Sequence, residues 1–176
     1  MLCKYLKNYG NAEHVHSRAP PIKLTHIGGL HHEWFNDILI PEDKIDDVYV
    51  IYIYRDPIHS IYSIFHNPYH LYNIQANTSI KYQDIYNTNE DLYKIEDFFD
   101  NYTTPNKDRN YKIICVKYED LFSRYTELLS LLGIEEIIPF PKEKITKREY
   151  VNENQLRNIY SNLQNKMNQM DFITIV

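Results

Sequence analysis

Glycine and cysteine are scarce in this chain: its 176 residues include four glycines and two cysteines. Two cysteines, Cys3 and Cys115, rule out a disulfide framework, and the absence of any Cys-x-x-Cys pair removes the thiol-based metal and redox motifs. Cys115 falls inside the apolar run Ile113-Ile114-Cys115-Val116 and reads as a buried, inert thiol. No apolar stretch is long enough to cross a bilayer and no leader-like pattern opens the chain, so the expectation is a soluble, cytoplasmic protein with no membrane partner. Positive charge is also lacking: 19 Lys and Arg against 24 Asp and Glu leave a net charge of −5. That balance argues against general binding to nucleic acid or anionic membranes, while leaving room for a local basic pocket.

Nothing repeats at a fixed period, and the length suits a single domain over 1–176 with a sizeable core. Seventeen tyrosines are the compositional excess; in the stretch 69–82 they could stack on sugars or aromatics, although packing explains them equally well. Residues 2–9 read as a short amphipathic helix, His14 to His16 and Ile22 to Thr25 as short strands, His31 to Phe35 as a helical turn, and Glu42 to Asp47 as a charged loop. Helices are expected within 69–76 and near 90–101, where Leu92, Ile95, Phe98 and Phe99 share a face. Tyr111 to Lys117 reads as a buried strand. Asp120 to Leu132 reads as an amphipathic helix stopped by Gly133. One last helix is expected from Asn152 or Asn154, with Leu156, Ile159, Leu163, Met167 and Met170 as its stripe. Strands alternating with helices imply an α/β fold with a mainly parallel sheet flanked by helices.

The most informative segment is Val48 to Ser63. An unbroken apolar run without polar alternation reads as a central strand buried on both faces. It ends in Arg55-Asp56-Pro57, where Asp56 suits a helix N-cap and Pro57 its first turn. Arg55 then stands at the carboxyl end of a strand, where open α/β sheets bind ligands. Ser63, eight residues after Arg55, lies about two helical turns along. A forked guanidinium backed by a hydroxyl is a phosphate-binding pair.

This segment resembles the 3′-phosphate motif of the sulfotransferases that use 3′-phosphoadenosine-5′-phosphosulfate (PAPS), a family with a P-loop-NTPase-like architecture. The resemblance implies that Arg55 and Ser63 hold the 3′-phosphate. A second stretch, Val116-Lys117-Tyr118-Glu119-Asp120-Leu121, resembles the family's Tyr-Glu-Asp segment and implies an adenine contact for Tyr118. A third, from Ala19 to His26, resembles its Pro…Lys-Thr-His segment and implies that His26 is the general base, a role imidazole suits near neutral pH. Lys23 stands three residues before His26 where the family's Lys stands two before. The family's glycine-rich 5′-phosphosulfate loop has no counterpart: Gly10, Gly28, Gly29 and Gly133 all lie in other contexts. The expectation is therefore an N-terminally incomplete domain, weakly active or inactive, with an unpaired sheet edge that invites homo-oligomerisation. In the region of the family's late nucleotide loop only the basic pair Lys147-Arg148 stands out. The implied co-substrate is PAPS, without a metal, and the acceptor is a hydroxyl or amine.

Three alternatives stand beside this. One is an inactive relative that binds a nucleotide or partner. Another is a zinc module built from His14, His16, His31 and His32 with Glu13 and Glu33 adjacent; the missing paired cysteines and the interruption of His66 and His70 by Pro68 weigh against it. The third, a kinase-type relative, finds no Walker loop.

Overall fold

A computed structural model describes residues 1–27, 38–67, 69–143 and 151–176, and gives the backbone alone at positions 26, 27 and 38. In chain order the elements are α1 (Leu2–Leu6), β1 (His26–Ile27), β2 (Ile38–Leu39), a 3₁₀ helix (Glu42–Asp47), β3 (Val50–Tyr54), α2 (Pro57–His66) and α3 (His70–Asn73). There follow α4 (Tyr82–Thr88), α5 (Ile95–Thr103), β4 (Ile113–Lys117), α6 (Tyr118–Leu131), α7 (Glu153–Ile159), α8 (Ser161–Asn168) and β5 (Ile173–Ile175).

The main sheet has the order β3-β4-β5. β3 runs parallel to β4 in the register Val50↔Ile113 to Tyr54↔Lys117, and β5 returns antiparallel to β4. The fold is thus mixed α/β, with a small three-stranded sheet flanked by helices. Period-2 alternation divides its faces. Tyr54, Ile113 and Cys115 pack with α2, α5, α7 and α8 on one side, while Ile114 and Val116 pack with α1 and α6 on the other.

Several expectations need correction. Among the described residues β3 is an edge strand, not a central one: Val50 to Tyr52 are partly buried, Ile53 is exposed and only Tyr54 is buried; it is β4, buried from Ile113 to Val116, that holds the centre. The sheet is mixed because the terminal β5, too short to show a period, pairs antiparallel. Glu42–Asp47 is a 3₁₀ helix, residues 14–16 and 22–25 form no strand, and the expected last helix is two. The break falls at Tyr160, 1% exposed, whose hydroxyl donates to Asp91 Oδ1 at 3.1 Å. The expected turn at His31 to Phe35 and the pair Lys147-Arg148 lie outside the described residues.

Candidate functional site

The two strand-to-helix junctions at the carboxyl ends of β3 and β4 lie side by side, because the strands are parallel and in register. At the first, Asp56 caps α2: its Oδ1 accepts from Ile58 N at 2.8 Å and His59 N at 3.3 Å. Pro57, whose missing N–H costs nothing at this position, opens the helix. Ile58, Ile61 and Ile64 then hold α2 against the sheet. Arg55, half-buried, turns back over the first turn, donating through Nη2 to His59 O at 2.8 Å and through Nε to Ser60 Oγ at 3.4 Å.

At the second junction α6 begins directly after Lys117, with Glu119 and Asp120 in its first turn, where the helix dipole favours negative charge. Glu119 ties the two junctions together, since its Oε1 accepts from the backbone N of Asp56 at 2.8 Å. That bond pairs the N–H at the chain's turn out of β3 with a side chain of the neighbouring junction.

Between the junctions and α8 lies a cleft of about 270 Å³, lined by Arg55, Lys117, Asp56, Glu119, Asp120 and Gln164 among others. Two cations face three carboxylates. Asp56 is occupied by its cap bonds and by Arg157 at 3.5 Å, and Glu119 by the Asp56 amide. Arg157 is itself shared with Glu153 at 2.6 Å. Gln164 adds an Oε1 that is buried without a donor among the described residues. The volume sits just below the ~300 Å³ at which small-molecule sites begin, enough for part of a nucleotide.

Of the residues expected at a site, Arg55 lines this cleft. Ser63 stands one turn beyond Ser60 on the same face of α2, and it is Ser60 that Arg55 reaches. Tyr118 does not line the cleft; its ring packs edge-on against Phe122 at 5.4 Å, and Phe122 against Phe140 at 5.7 Å. His26 is described as backbone, paired with Leu39 across β1 and β2. His14 and His16 have ring centroids 4.4 Å apart, and among the described residues no group of three or more His, Cys, Asp or Glu could hold a metal.

Sequence reasoning missed Ser60, Lys117, Glu119 and Gln164. Lys117 and Glu119 were legible in principle as neighbours of Tyr118, whereas Gln164 comes from a helix remote in sequence and carries no local signal. No family model, curated protein or solved structure matches the chain.

Proposed function

We propose that the cleft at the ends of β3 and β4 binds the 3′-phosphate of an adenosine 3′-phosphate nucleotide, and that the chain is a sulfotransferase-type domain with a P-loop-NTPase-like architecture and PAPS as co-substrate. The observation that carries the reading is Arg55: a guanidinium at the carboxyl end of a strand that runs parallel to its neighbour, held over the first turn of α2 and lining a cleft with Lys117. Arg55 already donates through Nε to Ser60 Oγ and through Nη2 to His59 O, so what it brings to a phosphate is chiefly its permanent charge, held in place by those bonds, and Lys117 adds a second, point-like charge. Ser60 steadies Arg55 by accepting from its Nε at 3.4 Å, and Ser63, one turn further along α2, is not among the cleft's lining residues. Tyr118, the adenine contact the resemblance implies, packs on Phe122 outside the cleft's lining, so the reading rests on the 3′-phosphate end alone.

When bound, PAPS supplies a sulfuryl group activated by its phosphate leaving group. The part of the work given to this chain's residues is to anchor the nucleotide at its 3′ end and, through His26, to take the proton of an acceptor hydroxyl or amine. Turnover also needs donors at the 5′-phosphosulfate, and these 176 residues offer no glycine-rich loop for them. Nucleotide binding is therefore the activity the reading assigns first.

Calorimetric titration with adenosine 3′,5′-bisphosphate tests it. The wild-type chain should bind and Arg55→Ala should bind at least ~10-fold more weakly, given the ~1.5–3 kcal/mol of a hydrogen bond to a charged group. A folded wild-type chain that gives no heat of binding would end the nucleotide reading.

A further inference from the structure

The hydrogen bonds of β4 determine which backbone groups of β3 lack a strand partner. Ile113 exchanges both its bonds with Val176 across β5, at 2.8 and 3.0 Å, and Lys117 N donates to Phe172 O at 3.0 Å. Alternate residues of a strand point their N–H and C=O to opposite sides. Ile113, Cys115 and Lys117 therefore face β5, and Ile114 and Val116 face β3. In the register Ile51↔Ile114 and Ile53↔Val116, Val50, Tyr52 and Tyr54 turn their backbone groups toward β4. Ile51 and Ile53 turn theirs outward, and no further strand pairs with that edge among the described residues.

These outward groups do not open onto plain solvent. Ile51 and Ile53 line a groove of about 590 Å³. Leu2 and Leu6 of α1 wall it on the Ile51 face of the sheet, and Leu24 lies on the Val50 face. The second wall is pinned: Tyr102 Oη donates to Ser17 O at 2.8 Å, Tyr111 Oη to Pro21 O at 2.5 Å, and Asn110 N to Ile22 O at 3.3 Å. A fixed groove, apolar along its walls and carrying alternating donors and acceptors at strand spacing, matches one kind of occupant.

We infer that this groove binds an extended peptide segment, which adds a strand to the outer edge of β3. The backbone of such a segment pairs with Ile51 and Ile53, and its alternate side chains enter the two apolar walls. A second folded copy edge to edge is the competing occupant, and sedimentation velocity distinguishes it. Charge sets the polarity of the occupant. The groove's end at Asp47 adjoins Glu42, Asp43 and Asp46; Lys44 pairs with Asp47 at 3.5 Å and Lys23 also lines the groove, which leaves that end acidic on balance, so the segment carries a basic residue there.

The probe is a dye-labelled seven-residue peptide alternating Val and Thr, with Lys at one end, followed by fluorescence anisotropy against the full chain. Two further versions carry N-methyl groups on alternate amides, one on each strand edge. The expected result is saturable binding that one methylation pattern weakens at least tenfold and the other leaves largely intact. Ile53→Pro, which deletes an outward N–H at an edge position where proline is tolerated, should weaken binding to a similar degree, with a thermal melt to establish its folding. If that variant does not fold, the methylated peptides decide alone. Three results overturn the inference: equal binding of both methylated peptides, no binding to folded wild type at millimolar peptide, or a dimer in sedimentation velocity that excludes the peptide. Neither Arg55 nor a nucleotide enters the measurement, so it stands or fails apart from the proposed function.

Discussion

Replacing Asp56 with Ala removes two supports of the cleft at once. The carboxylate accepts from Ile58 N and His59 N, and its other oxygen meets Arg157 at 3.5 Å. Losing an N-cap acceptor costs about 0.5–2 kcal/mol, most often ~1. The Arg157 pair is partly exposed, and Arg157 keeps Glu153 at 2.6 Å, so its loss adds only a few tenths of a kcal/mol, within the ~0.2–1 range of surface pairs. The sum is about 1–2 kcal/mol, or roughly 3–7 °C in Tm for a chain of this size. The bond from Asp56 N to Glu119 is a backbone bond and survives the substitution. Urea denaturation followed by circular dichroism measures the loss. Asp56→Asn keeps the cap and gives up the ion pair, so it should recover more than half of the deficit. If Ala costs less than about 0.5 kcal/mol, the usual scatter of neutral surface changes, or if Asn is as damaging as Ala, the capping argument is wrong. The first turn of α2 also presents His59 O to Arg55, so the Ala variant should bind adenosine 3′,5′-bisphosphate more weakly than the Asn variant.

Two further outcomes rest on buried groups away from the cleft. Cys115 is fully buried and burial pushes its thiol up to about 12, against the pull of Arg109; an aromatic disulfide reagent should therefore titrate Cys3 alone in native protein and Cys115 only in denaturant, and rapid native labelling of both would contradict the packing around β4. Burial also holds the Asp91 carboxyl above its ordinary value, opposed by hydrogen bonds from Glu96 N and the Tyr160 hydroxyl. A carboxyl whose folded value is raised contributes stability that is complete below the unfolded value of ~3.9 and is lost as pH rises through the folded one. Wild type should accordingly lose ground to Asp91→Asn as pH climbs from about 4, read as the gap between urea midpoints; parallel pH profiles would refute it.

The elements legible in the sequence were those whose own residues decide them. The Asp56-Pro57 start of α2, the amphipathic α6 and the buried β4 each carry a cap, a period or an apolar run strong enough to survive any tertiary context. What escaped depends on partners elsewhere. The apolar run of β3 reads like a doubly covered central strand, yet edge or centre is decided by what lies beside it, and the groove residues that flank β3 come from 2–25, which have no period linking them to it. β5 has three residues, too few to show an alternation. The division of the last helix at Tyr160 accompanies a hydroxyl bond to Asp91, 69 residues away. At the site, the strand-end position of Arg55 was legible because Arg-Asp-Pro fixes it locally. The direction of Tyr118 was not, because its ring packs edge-on against Phe122, outside the cleft's lining.

The most direct measurement compares two nucleotides on two proteins. Adenosine 3′,5′-bisphosphate and adenosine 5′-monophosphate differ by the 3′-phosphate alone. Titrated into wild type, the bisphosphate should bind at least ~10-fold more tightly, since a charge-assisted contact of ~1.5–3 kcal/mol exceeds the 1.4 kcal/mol that makes a factor of ten. In Arg55→Ala most of that preference should be lost, leaving what Lys117 alone sustains, while the chain stays folded. Equal affinity of the two nucleotides for wild type, or a preference undiminished without Arg55, would contradict the assignment of this cleft to a 3′-phosphate.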